Sequence, residues 1–339
     1  MLKQQNIVFF IGAGFSAPFG LPVMSNFINK SRDLYFSDTE KYKDIGRTLS
    51  LIDKYSSVKN YMNIDLHNIE DLLSIAYMES TINSRQSLYK AIQKFIITVI
   101  SAYTEETKNG VYKFCDFVSN LKVKKGNSFI RSFDQRKEIY EMIPDGYRNE
   151  KTSFGIISLN YDLLIENALN KINENIDAFY LNQNMPSHLL PYLSTIKTKN
   201  GTGIPMSKLH GSIEGSIVPP TWNKNINKNI KLDWKLGTEL LEEATHVVFL
   251  GYSLPPTDNY IKFLLASSLN NNKRLKNISI ITKDSDGETS KRFKSLFSLS
   301  PIFHNTDIVD FFEFISRNFD LDFDYFDELL INFTNKDKK

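Results

Sequence analysis

Two hydrophobic rhythms divide the chain. Residues 6–11 read N-I-V-F-F-I, a short unbroken β-rich run closed by Gly12-Ala13-Gly14. That is the pattern of a buried parallel-sheet strand entering a glycine turn. From about 26 to 140 the spacing becomes helical, with Ile69, Leu72, Leu73, Ala76 and Tyr77 on one face and a second such stretch over 89–103. This predicts an all-helical insertion, within which Glu70 lies on a helix and could reach the site, although a solvated helix face is the commoner role for such a residue. Strand character returns at 154–159, followed by Asn160-Tyr161-Asp162 and a helix over 163–171. Residues 200–235 read as a long Gly-, Pro-, Asn- and Lys-rich loop. A helix over 239–244, a strand over 246–250, a helix over 259–269 and a strand over 277–282 then follow. Alternating strands and helices imply a parallel sheet. The predicted fold is therefore α/β, a Rossmann-like parallel sheet flanked by helices, with a large all-helical insertion. Residues 1–30 and 150–305 form the core, 31–149 the insertion, and 306–339 an aromatic helical tail packed on the body.

Composition narrows the class without changing this picture. Hydrophobic residues at 41% and charged residues at 24% exclude a disordered or fibrous chain. Lys and Arg number 41 against 39 Asp and Glu, so no global field points to nucleic acid. The local basic stretch 122–137 reads as a solvated loop, and direct nucleic-acid binding is not expected. The single cysteine, Cys115, rules out an intramolecular disulfide and any multi-cysteine zinc site. With no 18-residue apolar run, and with the first apolar run read as a strand rather than a signal peptide, the expectation is a cytoplasmic protein without a membrane span. His67, His188, His246 and His304 lack the spacing of a metal pair, so no metal is expected. No Walker lysine or G-x-S-x-G elbow is present, which removes P-loop ATPase and serine hydrolase readings.

Small residues after a buried strand let a backbone approach a pyrophosphate, which makes Gly12, Ala13, Gly14 and Ser16 candidates for binding a dinucleotide. Asp162 fits two roles equally, a helix N-cap or a hydrogen bond to a ribose or to the loop. Gly251, Tyr252 and Ser253 follow another strand, where open α/β sheets hold ligands.

The string Gly12-Ala13-Gly14-Phe15-Ser16-Ala17-Pro18-Phe19-Gly20-Leu21-Pro22 resembles the glycine-loop signature of the Sir2 (sirtuin) superfamily. Three further matches come in the order that family requires: Asn160-Tyr161-Asp162, His210-Gly211, and Gly251-Tyr252-Ser253-Leu254. The departures are informative. Deacylases of the family usually carry a Phe-Arg pair after the glycine loop, a Gln before the Asn, and a four-cysteine zinc module. Here the corresponding residues are Met24-Ser25 and Leu159, and the module is missing. The Pro219-to-Lys224 and Gly251-to-Asp258 strings resemble the zinc-free branch of bacterial anti-phage systems, whose members typically hydrolyse NAD. The resemblance implies an NAD+ hydrolase with Asn160 and His210 catalytic. The implied NAD contacts are Gly12, Ala13, Gly14, Ser16, Gly20, Pro22, Asp162, Gly211, Gly251, Tyr252, Ser253 and Leu254. It further implies an effector of abortive defence, controlled by self-assembly or by a separately encoded sensor such as an ATPase or Argonaute-like protein. The competing readings are a protein deacylase or ADP-ribosyltransferase on the same fold, and a non-catalytic module that binds NAD or ADP-ribose.

Overall fold

The computed structural model describes residues 5–57, 67–84, 86–106, 129–134, 139–143, 152–167, 206–215, 217–218, 228–317, 330 and 332–333. Six strands form one sheet: β1 (Gln5–Ile11), β4 (Thr152–Ser158), β5 (Met206–Lys208), β6 (His246–Leu250), β7 (Asn277–Thr282) and β8 (Ile302–Asn305). Their order is β5-β4-β1-β6-β7-β8, and every neighbouring pair is parallel. The chain builds outward from β1 on one side through β4 and β5, then returns to build β6, β7 and β8 on the other. The strand order thus reverses between β1 and β6, the Rossmann-like arrangement in which a crevice opens above the carboxyl ends at the reversal.

Alternation along the strands assigns the two faces. Val8, Phe10, Val247 and Phe249 point to one side. There they pack with Leu241, Ile261, Leu265 and Phe293 from three helices. These are α6 (Lys228–Glu243), α7 (Asn259–Asn271) and α8 (Glu288–Leu296), which follow five earlier helices among the described residues. Those five are α1 (Ala13–Ser16), α2 (Phe27–Ser37), α3 (Lys43–Ser57), α4 (Ile69–Ile82) and α5 (Gln86–Glu106). Helices α2 to α5 form a second core of their own, built on Phe27, Leu49, Leu72, Leu73, Phe95 and Val99. Tyr161 and Ile213, from the loops after β4 and β5, pack against that core. The helical layer is therefore seated on the loops carrying Asn160 and His210. Helix α9 (Ile308–Arg317) packs the tail on the body, with Phe312 stacked on Phe19 and edge-on to Phe15.

Three local expectations need correction. The span 31–149 is not wholly helical, because β2 (Phe129–Asp134) and β3 (Ile139–Ile143) pair antiparallel within it. Their Phe, Ile and Tyr residues carry β propensity that the surrounding Lys and Arg obscure. Residues 206–208, inside the stretch expected to be loop, form an edge strand, as do 302–305, to which the pattern assigns no element; both are too short for periodicity to reveal. Helix α6 begins at Lys228, inside the stretch expected to be loop, since its Asn- and Lys-rich first turns are polar while Ile230 is buried. Cys115, His188 and residues 219–224 lie outside the described residues.

Candidate functional site

The glycine loop and the turn after β6 are stitched together by backbone. Gly12 N–H donates to the Leu250 carbonyl at 3.0 Å and Gly14 N–H to the Gly251 carbonyl at 2.8 Å. A Cβ on Gly12 or Gly14 would lie 2.8 Å from the Gly251 carbonyl oxygen, and one on Gly251 only 2.1 Å from Phe15 N. Gly251 also holds φ at +60°, in the left-handed region that glycine adopts without strain. The glycines are thus required by this loop-on-loop crossing. Three residues on, buried Leu254 sits at φ +50°, an uncommon conformation for a branched residue, held by the packing around it.

Behind the cleft runs a polar chain. Asn160 Nδ2 donates to the Gly12 carbonyl and to Ser16 Oγ, both at 3.0 Å. A backbone carbonyl can only accept, so this contact fixes which end of the amide is nitrogen. With Nδ2 engaged by the protein, the group Asn160 offers a ligand is its carbonyl oxygen. Ser16 Oγ donates in turn to Asp162 Oδ2 at 2.8 Å, and Asp162 Oδ1 accepts from Leu164 N–H at 3.0 Å. Asp162 therefore holds Ser16 and caps the following turn. Lys208, at the end of β5, donates to the Asp162 carbonyl and to Glu166 Oε1, the latter at 2.7 Å. This buried ion pair ties the strand leading to His210 onto the loop carrying Asn160.

A cleft of about 740 Å³ opens at the reversal between β1 and β6. Each of the six strands supplies residues to it from its carboxyl end. They are Gly12, Ala13 and Gly14 after β1, Asn160 after β4, His210 after β5, and Gly251, Tyr252 and Ser253 after β6. Thr282 and Lys283 follow at the end of β7, then Thr306 and Asp307 after β8. The buried His210 has its ring 6.2 Å from that of Tyr161. Its strand end is held by Leu209 N–H on the Ser158 carbonyl at 3.0 Å and by Trp234 Nε1 on the Leu209 carbonyl at 2.9 Å. Tyr252 donates to Asp258 Oδ2 at 2.7 Å. Burial first, then the charges of Asp258 and Glu70, hold its phenol well above the usual range, so it stays protonated. At the opposite end Lys283 pairs with Asp307 at 2.6 Å.

Of the residues singled out in the sequence, the cleft collects Gly12, Ala13, Gly14, Asn160, His210, Gly251, Tyr252 and Ser253. Ser16 and Asp162 stand one layer behind Asn160. Gly20, Pro22, Gly211 and Leu254 are not among its lining residues. Gly20 and Gly211 instead supply positive φ at turns. Pattern reading gave no separate role to Asp258, which closes the Gly251-to-Asp258 string, and missed Lys283 and Asp307, whose loops carry no compact string. Of the two readings open for Glu70, the solvated face is the favoured one, whereas Glu70 lines the cleft.

Asp233 of α6 accepts from Lys208 N–H at 3.2 Å, and burial pushes its carboxyl up to about 6. The folded state then binds a proton that the unfolded chain releases near pH 4. Stability on this account is greatest below pH 4 and declines as pH rises through about 6. Asp233→Asn is expected to add about 1 kcal/mol at pH 8, after allowing for partial exposure, and nothing at pH 4. Urea unfolding at both pH values checks this, and an equal loss at both would contradict it.

The fold and cleft define a Rossmann-like α/β protein with its site at the sheet's reversal point. The SIR2-like domain profile matches residues 155–302, which span Asn160, His210 and Gly251 to Leu254. Among solved structures, the chain is similar to Sir2Tm bound to a propionylated peptide, at 12% identity and a TM-score of 0.35 over 93% of each chain. It is also similar to a Sir2–p53 peptide–NAD+ structure, at 11% identity and a TM-score of 0.36 over 93% of each chain. No curated protein matches the chain. Among the described residues no group of three or more His, Cys, Asp or Glu is placed to hold a metal, and no helix is long and apolar enough to cross a membrane.

Proposed function

We propose that the chain is an NAD+ hydrolase of the SIR2-like type, converting NAD+ and water to nicotinamide, ADP-ribose and a proton. The observation that carries the reading is the meeting of Asn160 and His210, from two different strands, in one cleft at the sheet's reversal point. The SIR2-like match over the segment that holds both residues supports it. In this reading the bond from ribose C1′ to the pyridinium nitrogen breaks, and its electron pair neutralises the ring. Water adds at C1′ and its proton passes to His210, the one side chain whose ordinary pKa lies near neutrality. Asn160 Oδ1 accepts from the water or from a ribose hydroxyl and orients it.

Hydrolysis is favoured over lysine deacylation because Met24 and Ser25 line the cleft where a deacylase's Phe-Arg pair would follow the glycine loop. A single cysteine also cannot build the deacylase zinc module. NAD+ consumption with and without an acyl-lysine peptide tests the choice. The hydrolase reading expects equal rates and no deacylated peptide, while peptide-dependent consumption would overturn it. By the sequence resemblance, we read the biological role as cytoplasmic NAD+ depletion in abortive anti-phage defence. A homo-oligomer or a separately encoded sensor would hold the activity in check.

A further inference from the structure

Among the described residues lining the cleft, Glu70 is the one titratable group contributed by the helical layer. Its place is built. Asn68 caps α4, its Oδ1 accepting from Glu70 N–H at 3.0 Å and Asp71 N–H at 3.3 Å, which fixes the first turn. Ile69, Leu72 and Leu73 bury the other side of that turn in the helical core, against which Tyr161 and Ile213 pack. Those two residues directly follow Asn160 and the His210-Gly211-Ser212 turn in sequence. The helical layer is tied to the same loops by Gln93 Nε2, which donates to the Ile217 carbonyl at 3.0 Å. Glu70 therefore enters the cleft at the Asn160 and His210 end, away from the Lys283–Asp307 pair. Its negative charge reaches the phenols of Tyr161 and Tyr252, one on each loop flanking this end, and after burial it is among the causes that hold both protonated.

We infer that Glu70 is a catalytic residue of this cleft, its carboxylate facing the ribose of the bound dinucleotide and balancing the positive charge that develops there as the bond to nicotinamide breaks. The inference rests on the hydrolase reading above and adds to it a residue outside the strand-end strings. The step balances without a proton on Glu70: the pyridine nitrogen takes the electron pair, water supplies the new C1′–O bond, and His210 receives the water's proton. A fixed charge aimed at an oxocarbenium-like centre interacts more strongly with the transition state than with the ground state, and so acts on kcat rather than KM.

The test is steady-state nicotinamide release by wild type, Glu70→Gln, Glu70→Asp and Asp71→Asn. Glu70→Gln keeps the size and polarity but removes the charge, and is expected to lower kcat about 100-fold with KM for NAD+ changed less than about threefold. Glu70→Asp retains the charge at shorter reach and should recover at least tenfold of that loss. Asp71→Asn removes a carboxylate from the same helical turn but not from the cleft, and should match wild type. Thermal unfolding is measured beside each. Should Glu70→Gln unfold early, Glu70→Ala and Glu70→Asp at matched folded fractions decide: a kcat at least tenfold higher with aspartate than with alanine is expected, and equal values overturn the inference. Wild-type turnover in Glu70→Gln, or an equal loss in Asp71→Asn, overturns the inference while leaving the hydrolase reading intact. A wild-type chain that releases no nicotinamide contradicts the hydrolase reading itself, and this inference with it.

Discussion

His210→Ala is expected to lower nicotinamide release about 10³-fold while leaving thermal unfolding and NAD+ binding close to wild type. The size follows from removing a positioned base, an effect of about 10² to 10⁴ in rate. The selectivity follows from the site's construction. The strand end carrying His210 is held by backbone and by Trp234, with Leu209 N–H on the Ser158 carbonyl and Trp234 Nε1 on the Leu209 carbonyl. None of these bonds uses the imidazole, so truncating the ring leaves the scaffold in place. Titration with NAD+ beside the rate measurement separates the outcomes. Wild-type turnover in the variant would remove His210 from the chemistry, and loss of NAD+ binding with turnover would make it a binding residue instead.

Lys208→Met is the second large effect, and it acts through the fold. The Lys208 and Glu166 side chains are only 9% and 12% exposed. Removing the ammonium leaves the Glu166 carboxylate buried beside the Asp162 carbonyl with no cation, and breaking a buried pair in this way costs about 3 to 5 kcal/mol. Lys208→Met is therefore expected to lower unfolding free energy by about 3 kcal/mol or more. The double variant Lys208→Met with Glu166→Leu should recover most of it, because both charges are then gone. Turnover reports on a second consequence. The pair ties the His210 strand to the Asn160 loop, so the double variant is expected to fold yet remain slower than wild type, chiefly in kcat. Additive losses in urea unfolding would show that the two groups do not act as a pair.

The parallel sheet is legible because β1 and β6 are buried on both faces and so read as unbroken apolar runs, N-I-V-F-F-I and H-V-V-F-L. Edge strands β5 and β8 are not, since three or four residues carry too little period to separate strand from loop. The start of α6 is hidden by Asn and Lys, whose helical placement is decided by the packing of Ile230 and Trp234 rather than by propensity. In the site, the residues that compact strings deliver are those at strand ends: the glycine loop, Asn160, His210 and Gly251 to Ser253. Ser16 and Asp162 stand in the same strings, but their role behind Asn160 depends on a chain of hydrogen bonds across distant segments. Glu70 looks like any polar helix position until the helical layer is seated on the Tyr161 and Ile213 loops. Sequence spacing is one-dimensional, and what it cannot contain is which helix start meets which strand end.

The central claim is that this cleft cleaves NAD+ with Asn160 and His210. The most direct measurement is a time course of nicotinamide and ADP-ribose from NAD+ incubated with purified wild type, run beside Asn160→Ala and His210→Ala at matched folded fractions. The account predicts equimolar appearance of the two products with wild type and at least a 100-fold slower course with either variant. Product formation at equal rates in all three, or NAD+ bound but intact with wild type, would contradict it.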